Sequence, residues 1–144
     1  MNKSIKHALA ALLVAAPVMF ASTASAQVFG RTANRVSIEQ TGSNNGAAAT
    51  QSGVRNRTQI VQNVHDNFTV ANQNGRNNLT RVHQNGHNNT AAITQTGNNN
   101  AMCLHQWGNN LGAEIHQSGN ERELVVQTER QVTVVPRSML FRCR

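Results

Sequence analysis

Residues 40–51 read QTGSNNGAAATQ, and the residues that follow repeat this pattern with one glutamine at the head of each row. Glutamine recurs at every eleventh position without a slip, eight times in succession. A fixed short period is typical of a solenoid, in which each repeat stacks on its neighbours. The eight glutamines that begin the rows are Gln40, Gln51, Gln62, Gln73, Gln84, Gln95, Gln106 and Gln117.

The rest of the row repeats with the glutamine. Counting each glutamine as the first place, glycine fills the third place in seven of eight rows, with Val64 as the exception. The glycines are Gly42, Gly53, Gly75, Gly86, Gly97, Gly108 and Gly119. Asparagine fills the sixth place at Asn45, Asn56, Asn67, Asn78, Asn89 and Asn100, and counting on by eleven puts Leu111 and Arg122 there. The eighth place is small or apolar, and the tenth is aliphatic.

This spacing predicts one strand and one turn per row. Places six, eight, ten and the next glutamine are two residues apart, so on a β-strand they share one face, which we expect to point inward. Places two to five are rich in glycine and asparagine, which tolerate positive φ and favour turns.

Two rows then form one coil, so the sequence predicts an all-β fold, a flattened β-solenoid of 22-residue coils. Residues 22 apart become vertical neighbours at about 4.7–4.9 Å, the spacing of paired strands. Two glutamine ladders and two asparagine ladders would run through the interior, and a polymer of such stacks would be cross-β.

The ends of the chain divide it into four segments. Residues 1–26 are predicted to be a secretory signal peptide, because Lys3 and Lys6 precede a short apolar run that closes with AlaSerAla at 24–26. The run is too short for the roughly 20 apolar residues of a membrane span. Residues 27–39 form a degenerate first row with Phe29 in the glutamine place, 40–127 the regular repeat, and 128–144 a basic tail in which residues 130–135 suggest one more strand.

Composition excludes an ordinary globular core. Only Phe29, Phe68, Trp107 and Phe141 are aromatic beyond the predicted leader, and composition of this kind would otherwise indicate disorder. Buried amides are tolerated when every one is paired, and an in-register stack of identical rows supplies that pairing. Without the two leader lysines, 11 arginines and six acids leave a net charge near +5.

The row Gln-x-Gly-x-x-Asn-x-Ala/Thr-x-aliphatic-x-Gln resembles the curlin repeat over nearly the whole mature chain. Curlins are the secreted subunits of curli, the bacterial amyloid fibres of the cell surface and biofilm matrix. The resemblance implies that this chain polymerises with itself and with other curlin subunits. It also implies passage through a dedicated outer-membrane secretion pore with accessory factors, and a function in adhesion.

The curlin family that the chain resembles has two subunit types, a major subunit that builds the fibre and a minor subunit that nucleates it. The uninterrupted period and the basic, irregular C-terminus are similar to the minor type, and no long glycine-rich segment follows the leader as in the major type. Cys103 and Cys143 are features of neither type. We interpret the chain as the minor type, with the major type as the alternative.

The two ends of the predicted stack differ. Few residues precede the first row, so we expect the N-terminal end to be an open edge that accepts further strands. At the other end, Arg122 in an asparagine place and the later arginines would set charge against the ladder. We therefore expect that end to be capped or to bind an acidic partner.

Side chains on the outer face suggest no chemistry that the repeat does not already explain. His65 with His87, and His83 with His105, should stack, which allows a metal or pH-sensing role, but we favour plain surface residues. Calcium-binding repeats need an aspartate in each turn, and only Asp66 is present, so no metal and no cofactor are predicted. No regular aromatic platform supports a specific nucleic-acid partner.

Cys103 falls in an outward ninth place and Cys143 in the tail. In an oxidising compartment the two could form an internal disulfide that folds the tail back along the stack. An intermolecular bridge and two free thiols are the alternatives.

Two other functions compete with fibre formation. An ice-binding or ligand-binding β-solenoid would present a regular outward array, but here the outward seventh and ninth places vary while the inward places repeat. A secreted enzyme on a β-helix would need clustered acids, and Glu39, Asp66 and Glu114 are scattered. No catalytic residues are predicted.

Overall fold

A computed structural model describes residues 33–136, and ten β-strands account for most of them. No helix occurs within that range, so the predicted all-β class is confirmed. The strands are β1 Arg35–Ser43, β2 Gly46–Val54, β3 Arg57–His65, β4 Phe68–Arg76, β5 Leu79–His87, β6 Thr90–Asn98, β7 Ala101–Trp107, β8 Gly112–Ser118, β9 Arg122–Thr128 and β10 Val132–Pro136.

Successive strands alternate between two sheets. The odd sheet has the order β1-β3-β5-β7-β9-β10, and the even sheet has the order β2-β4-β6-β8. Neighbours up to β8 pair in parallel with an offset of 22 residues, as Gln40 with Gln62 and Gln51 with Gln73. The chain is therefore a flattened β-solenoid of about four 22-residue coils, as the glutamine spacing predicts.

A thin apolar layer fills the space between the sheets. The tenth-place side chains Ile60, Ala71, Val82, Ile93 and Leu104 are at most 2% exposed. They alternate between the two sheets, so each coil contributes one from either side. Small and aliphatic side chains fit here because only side-chain length separates the facing strands.

The turns stack with the strands. Every glycine in the third place has a positive φ, and so does the fifth-place residue, which is asparagine in most rows. Stacked turns also share backbone hydrogen bonds, such as Asn88 N to His65 O at 3.1 Å and Asn99 N to Arg76 O at 3.0 Å. The repeated turn chemistry therefore keeps the coils in register.

The first row follows the pattern within the described range. Val36 and Ile38 on β1 are half-buried in inward places, and Asn34 lies in the asparagine place. Phe29, the predicted signal peptide 1–26 and tail residues 137–144 lie outside the described residues.

The repeat changes at its C-terminal end. Gln106 pairs with Gln127, 21 residues later rather than 22, because the row that begins at Gln117 is one residue shorter than the other rows. The expectation that Arg122 occupies an asparagine place was therefore wrong. Arg122 pairs with Ala101 in an outward seventh place and is exposed, and Glu121 takes the sixth place.

The last strand reverses direction. β10 pairs antiparallel with β9, Val132 opposite Gln127, rather than crossing to the even sheet. It lies in the segment where the sequence suggests one more strand. As a result β10 covers the outer edge of the odd sheet, whereas β8 is the last described strand of the even sheet.

Candidate functional site: the amide ladders and the ends of the stack

The glutamines of the odd sheet form a continuous hydrogen-bonded ladder. Each side-chain Nε2 donates to the Oε1 of the glutamine in the next coil, from Gln40 to Gln62 at 2.7 Å, to Gln84 and Gln106 at 2.8 Å each, and to Gln127 at 3.0 Å. Gln40 at the first rung is half-buried, and the next three are fully buried. Amide pairing at every rung compensates the burial of these polar groups.

The even sheet has a second ladder of the same direction. Gln51 donates to Gln73 at 2.7 Å, Gln73 to Gln95 at 2.8 Å, and Gln95 to Gln117 at 2.7 Å. All but Gln51 are at most 2% exposed. Within residues 33–136, the glutamine oxygen that accepts from no other glutamine lies at the N-terminal end of each ladder. The side-chain nitrogen that donates to no other glutamine lies at the C-terminal end.

Each glutamine also bonds across the interior. Gln73 Nε2 donates to the backbone oxygen of Arg57 at the start of β3, at 3.1 Å, and Gln84 Nε2 reaches Phe68 O at 3.3 Å. These bonds tie the end of one strand to the start of a strand in the opposite sheet. The ladders therefore hold the two sheets together as well as stacking the coils.

Threonine in the eighth place joins this network, which the sequence reasoning missed by treating the place as merely small or apolar. The hydroxyls of Thr58, Thr69 and Thr80 donate to glutamine Oε1 atoms of the opposite sheet at 2.8–3.0 Å. Their occurrence in three consecutive rows was the available signal. They satisfy the second acceptor site of a buried amide oxygen.

The asparagines bind mainly the backbone, and Asn67 Nδ2 also donates to Asn45 Oδ1 at 3.2 Å. Asn56 Oδ1 accepts from the backbone N of Asn78 at 3.2 Å, and Asn56 Nδ2 donates to Ser52 O at 2.8 Å and to Gly75 O at 3.0 Å. Asn45 is half-buried at the first coil, and the others in this place, Asn56, Asn67, Asn78, Asn89 and Asn100, are at most 1% exposed. Each one links its own turn to the turn of the following coil.

The N-terminal end presents an open hydrogen-bonding surface. Within residues 33–136, Gln40 Oε1 and Gln51 Oε1 accept from no glutamine above them. Among the described strands β1 and β2 are the outermost of their sheets, so alternate backbone groups on both face away from the described stack. A further coil with the same row would complete both ladders.

The C-terminal end is different in three respects. Leu111 and Glu121 stand in asparagine places, so these places have no asparagine Oδ1 to accept a backbone N–H from a further coil, although their own backbone N groups still donate to Asn89 Oδ1 and Asn100 Oδ1. β10 covers β9 in the antiparallel sense. The side chain of Glu129 closes the adjacent turn by accepting from Asn109 N and Nδ2, both at 3.0 Å.

Histidines stack on the outer surface. The rings of His65 and His87 lie 5.4 Å apart at one turn, and those of His83 and His105 lie 5.8 Å apart on the odd sheet. The remaining strand histidine, His116, contacts Glu114 at 3.0 Å. Among the described residues no group of three or more histidine, cysteine or acidic side chains is close enough to bind a metal ion.

His105 differs from the other histidines. Burial lowers its pKa below the ordinary value of 6.5, and the nearby His83 lowers it further. Its Nδ1 and the Nε of Arg81 are both shielded from solvent, and neither has a hydrogen-bond partner.

Cys103 lies beside this histidine, two residues away on β7. The ninth place was predicted to be outward and exposed, but Cys103 is only 4% exposed. It is disulfide-bonded. Cys143 lies outside the described residues, so its pairing with Cys103 stays a prediction.

Residues 65–97 match the family model of the curlin associated repeat. This segment belongs to the curlin associated repeat family. It spans one and a half coils, from the last residue of β3 to the end of β6, and contains glutamines of both ladders. The glutamine ladders continue on either side of this segment, from Gln40 to Gln62 and from Gln95 to Gln117.

Comparisons with curated proteins and with solved structures gave no significant match. No helix within residues 33–136 is long and apolar enough to cross a membrane.

Proposed function

We propose that this chain is a secreted curlin-type subunit that polymerises by stacking coils end to end into an amyloid fibre. The curlin repeat and the β-solenoid support a fibre subunit, and the open acceptors Gln40 Oε1 and Gln51 Oε1 support its mode of growth. An incoming chain gains backbone pairing on β1 and β2 together with both amide ladders. The fibre is extracellular and contributes to surface adhesion and the biofilm matrix.

The same reasoning favours the minor, nucleating type. A nucleator needs one end that accepts strands and another that does not extend in the same way. Within residues 33–136 the N-terminal end has two parallel edges without a further strand, whereas β10 and the presence of Leu111 and Glu121 in asparagine places interrupt the pattern at the C-terminal end. The major fibre subunit is the second candidate, because every rung from Gln40 to Gln117 is as regular as fibre extension requires.

Seeding distinguishes these types. A trace of the mature chain is added to an excess of a major curlin subunit, and thioflavin-T fluorescence is followed. We expect the lag phase to disappear while the chain alone forms few long fibres. An unchanged lag together with rapid self-assembly into long fibres would favour the major type, and no assembly in either mixture would contradict the proposal.

A further inference from the structure

The described solenoid contains an odd number of parallel strands. Nine strands, β1 to β9, alternate between the sheets, with five in the odd sheet and four in the even sheet. The parallel stack therefore has four and a half coils rather than a whole number. It begins with β1 and ends with β9, both in the odd sheet, so the next position along the solenoid lies in the even sheet, on the outer edge of β8.

This half coil decides how a second copy can continue the stack. If β1 of the second copy lined up with the odd sheet, the position beside β8 would stay empty, whether or not β10 remained on β9. If β1 of the second copy instead pairs with β8, its β2 reaches the edge of β9, and both sheets continue at the usual strand spacing. The second copy is then rotated by half a turn about the stack axis.

The side-chain amides of the two ends are complementary in this arrangement. Within residues 33–136, Gln117 on β8 and Gln127 on β9 donate to no further glutamine. Gln40 on β1 and Gln51 on β2 accept from none. Pairing of β8 with β1 of the second copy brings Gln117 to Gln40. Pairing of β9 with β2 brings Gln127 to Gln51, so both ladders continue through the junction.

The tenth-place isoleucines at the two ends are incompletely buried. Ile115 on β8 and Ile38 on β1 are half-buried and pack against the core, whereas Ile93 in the interior is 1% exposed. In the junction Ile115 lies beside Ile38 of the second copy, just as Ile93 lies beside Ile115 within one chain. Burial of both side chains stabilises the junction.

The outward charges also favour β8 against β1. When the two glutamine ladders are in register, His116 on β8 lies opposite Glu39 of the second copy. Glu114 lies diagonally from Arg35 of that copy, within reach of a long side chain. All four of these side chains are exposed in the single chain. Alignment of β1 with β9 would instead place Arg35 beside Arg122, where like charges repel.

We propose that copies of this chain join head to tail with a half turn between neighbours, β8 and β9 of one copy pairing with β1 and β2 of the next. The inference rests on the proposed polymerisation and adds its geometry. The junction requires β10 to leave β9. β10 pairs with β9 over five residues, whereas β7 pairs with β9 over seven, so a parallel strand replaces a shorter antiparallel one. Such a head-to-tail contact is heterologous and gives an open filament.

The half turn sets the repeat of the fibre. Each copy advances four and a half coils, about 22 Å at the usual strand spacing, and two copies complete one repeat. It also distributes charge, because the arginines in the seventh, ninth and eleventh places all lie on the odd sheet. These arginines are Arg35, Arg57, Arg81 and Arg122. In the fibre their faces alternate between opposite sides.

Electron cryo-microscopy of fibres grown from the mature chain is the first test. Helical reconstruction should find neighbouring copies related by a rise of about 22 Å and a rotation near half a turn, apart from the gradual twist of the sheets. β10 should be absent from the edge of β9 at each junction. Neighbouring copies without the half-turn rotation would overturn the proposal.

A charge exchange is the second test. Ser37 in the ninth place of β1 lies opposite Glu114 of the neighbouring copy in the junction, although the two are at opposite ends of one chain. Ser37→Glu should slow elongation on its own fragmented fibres about two- to fivefold in about 10 mM salt, because like charges then face each other with little screening. Addition of Glu114→Arg should restore the parental rate. Thioflavin-T fluorescence measures elongation, and circular dichroism verifies that each monomer folds.

Ala48→Glu is the matched control, because Ala48 occupies the ninth place of β2 and lies opposite Leu124 in the junction. Glu114→Arg should therefore not restore its elongation. If Glu114→Arg restored Ala48→Glu rather than Ser37→Glu, or restored neither, the half-turn junction would be wrong. Unchanged elongation of Ser37→Glu would contradict it too. A parent chain that forms no fibres would contradict the proposed function itself, whereas parental fibres with the wrong pattern of restoration contradict only the junction.

Discussion

A buried glutamine in this stack is satisfied on all sides, so its removal affects several partners at once. Gln84 accepts from Gln62 Nε2 and Thr69 Oγ1 and donates to Gln106 Oε1. A leucine there would fit the volume but leave a buried donor amide and a buried hydroxyl without an acceptor. The free-energy cost of a substitution at one glutamine therefore includes the hydrogen bonds that its partners lose.

We expect Gln84→Leu to lower the free energy of unfolding by about 2–4 kcal/mol, since each unsatisfied buried polar group costs about 1–3 kcal/mol. Urea denaturation of freshly prepared monomer measures it. Gln59→Leu, in the outward ninth place of β3, is the matched control and should change stability by less than about 1 kcal/mol. Equal losses in both variants would show that the ladder has no special importance.

Val64 is the one non-glycine in the third place of the eight rows, and its backbone is strained there. Its φ is 85°, a region that a β-branched residue rarely adopts. We expect Val64→Gly to stabilise the monomer by about 1 kcal/mol, because the relieved strain exceeds the added entropy of glycine in the unfolded chain. Thermal or urea unfolding detects the gain.

The control for Val64 is the same substitution at an unstrained site. Val70 is also half-buried and lies in an outward place of β4 without positive φ. Val70→Gly should destabilise the chain, opposite in sign to Val64→Gly. A loss of stability in both variants would mean that side-chain contacts of Val64 outweigh its strain.

At the scale of strands and turns, the sequence was sufficient wherever the period held. The Gln40 to Gln62 offset, the two sheets and the inward places all follow from a spacing of eleven. The pattern was insufficient where one residue is missing from the turn before β9, because counting forward from Gln117 placed Arg122 inward. The hydrogen bond from Glu121 N to Asn100 Oδ1 sets the true register, and a tertiary contact of that kind is not visible in a count.

The direction of β10 was beyond sequence reasoning for a similar reason. A strand after Gln127 could cross to the even sheet or turn back, and both suit alternating valines. The tight turn decides between them, with Thr128 N bonding to Gln131 O at 2.8 Å. Such turns close an antiparallel hairpin, so the last element becomes a cap instead of a further rung.

The paired histidines on β5 and β7 predict a pH dependence of stability. Burial and then His83 hold the pKa of His105 below 6.5 in the folded chain. The unfolded state therefore binds more protons as the pH falls through the ordinary histidine range, and stability decreases in that direction.

We expect the free energy of unfolding of the monomer to be lower at pH 5 than at pH 7.5, and His105→Gln to reduce this difference. Equilibrium urea unfolding at the two pH values measures it. His116→Gln is the control, because His116 is exposed beside Glu114 on β8, and its substitution should leave the difference largely intact. An identical pH response in His105→Gln and the parent chain would contradict the assignment to His105.

For the whole molecule, the two ends differ in whether deletion of a coil exposes an equivalent hydrogen-bonding surface. Removal of the first coil leaves β3 and β4 outermost, with Gln62 and Gln73 now presenting the open acceptors that Gln40 and Gln51 presented before. Because the sequence repeats every 22 residues, deletion of the first coil exposes an N-terminal surface with the same hydrogen-bonding groups. No such renewal is available at the other end, since β10 occurs once and pairs in the opposite sense.

Two deletions therefore have opposite expected outcomes in fibre growth. A chain without residues 27–54 should elongate on preformed seeds at nearly the parental rate, because its exposed face has the same amides and the same backbone edges. A chain that ends at Thr128 loses the capping strand, opens β9 as a parallel edge, and should assemble faster than the parent. Seeded thioflavin-T kinetics at matched monomer concentration measure both rates, with circular dichroism to verify strand content. If the first-coil deletion abolished growth while the Thr128 truncation changed nothing, growth would depend on particular residues of β1 and β2 rather than on the open end of a periodic ladder.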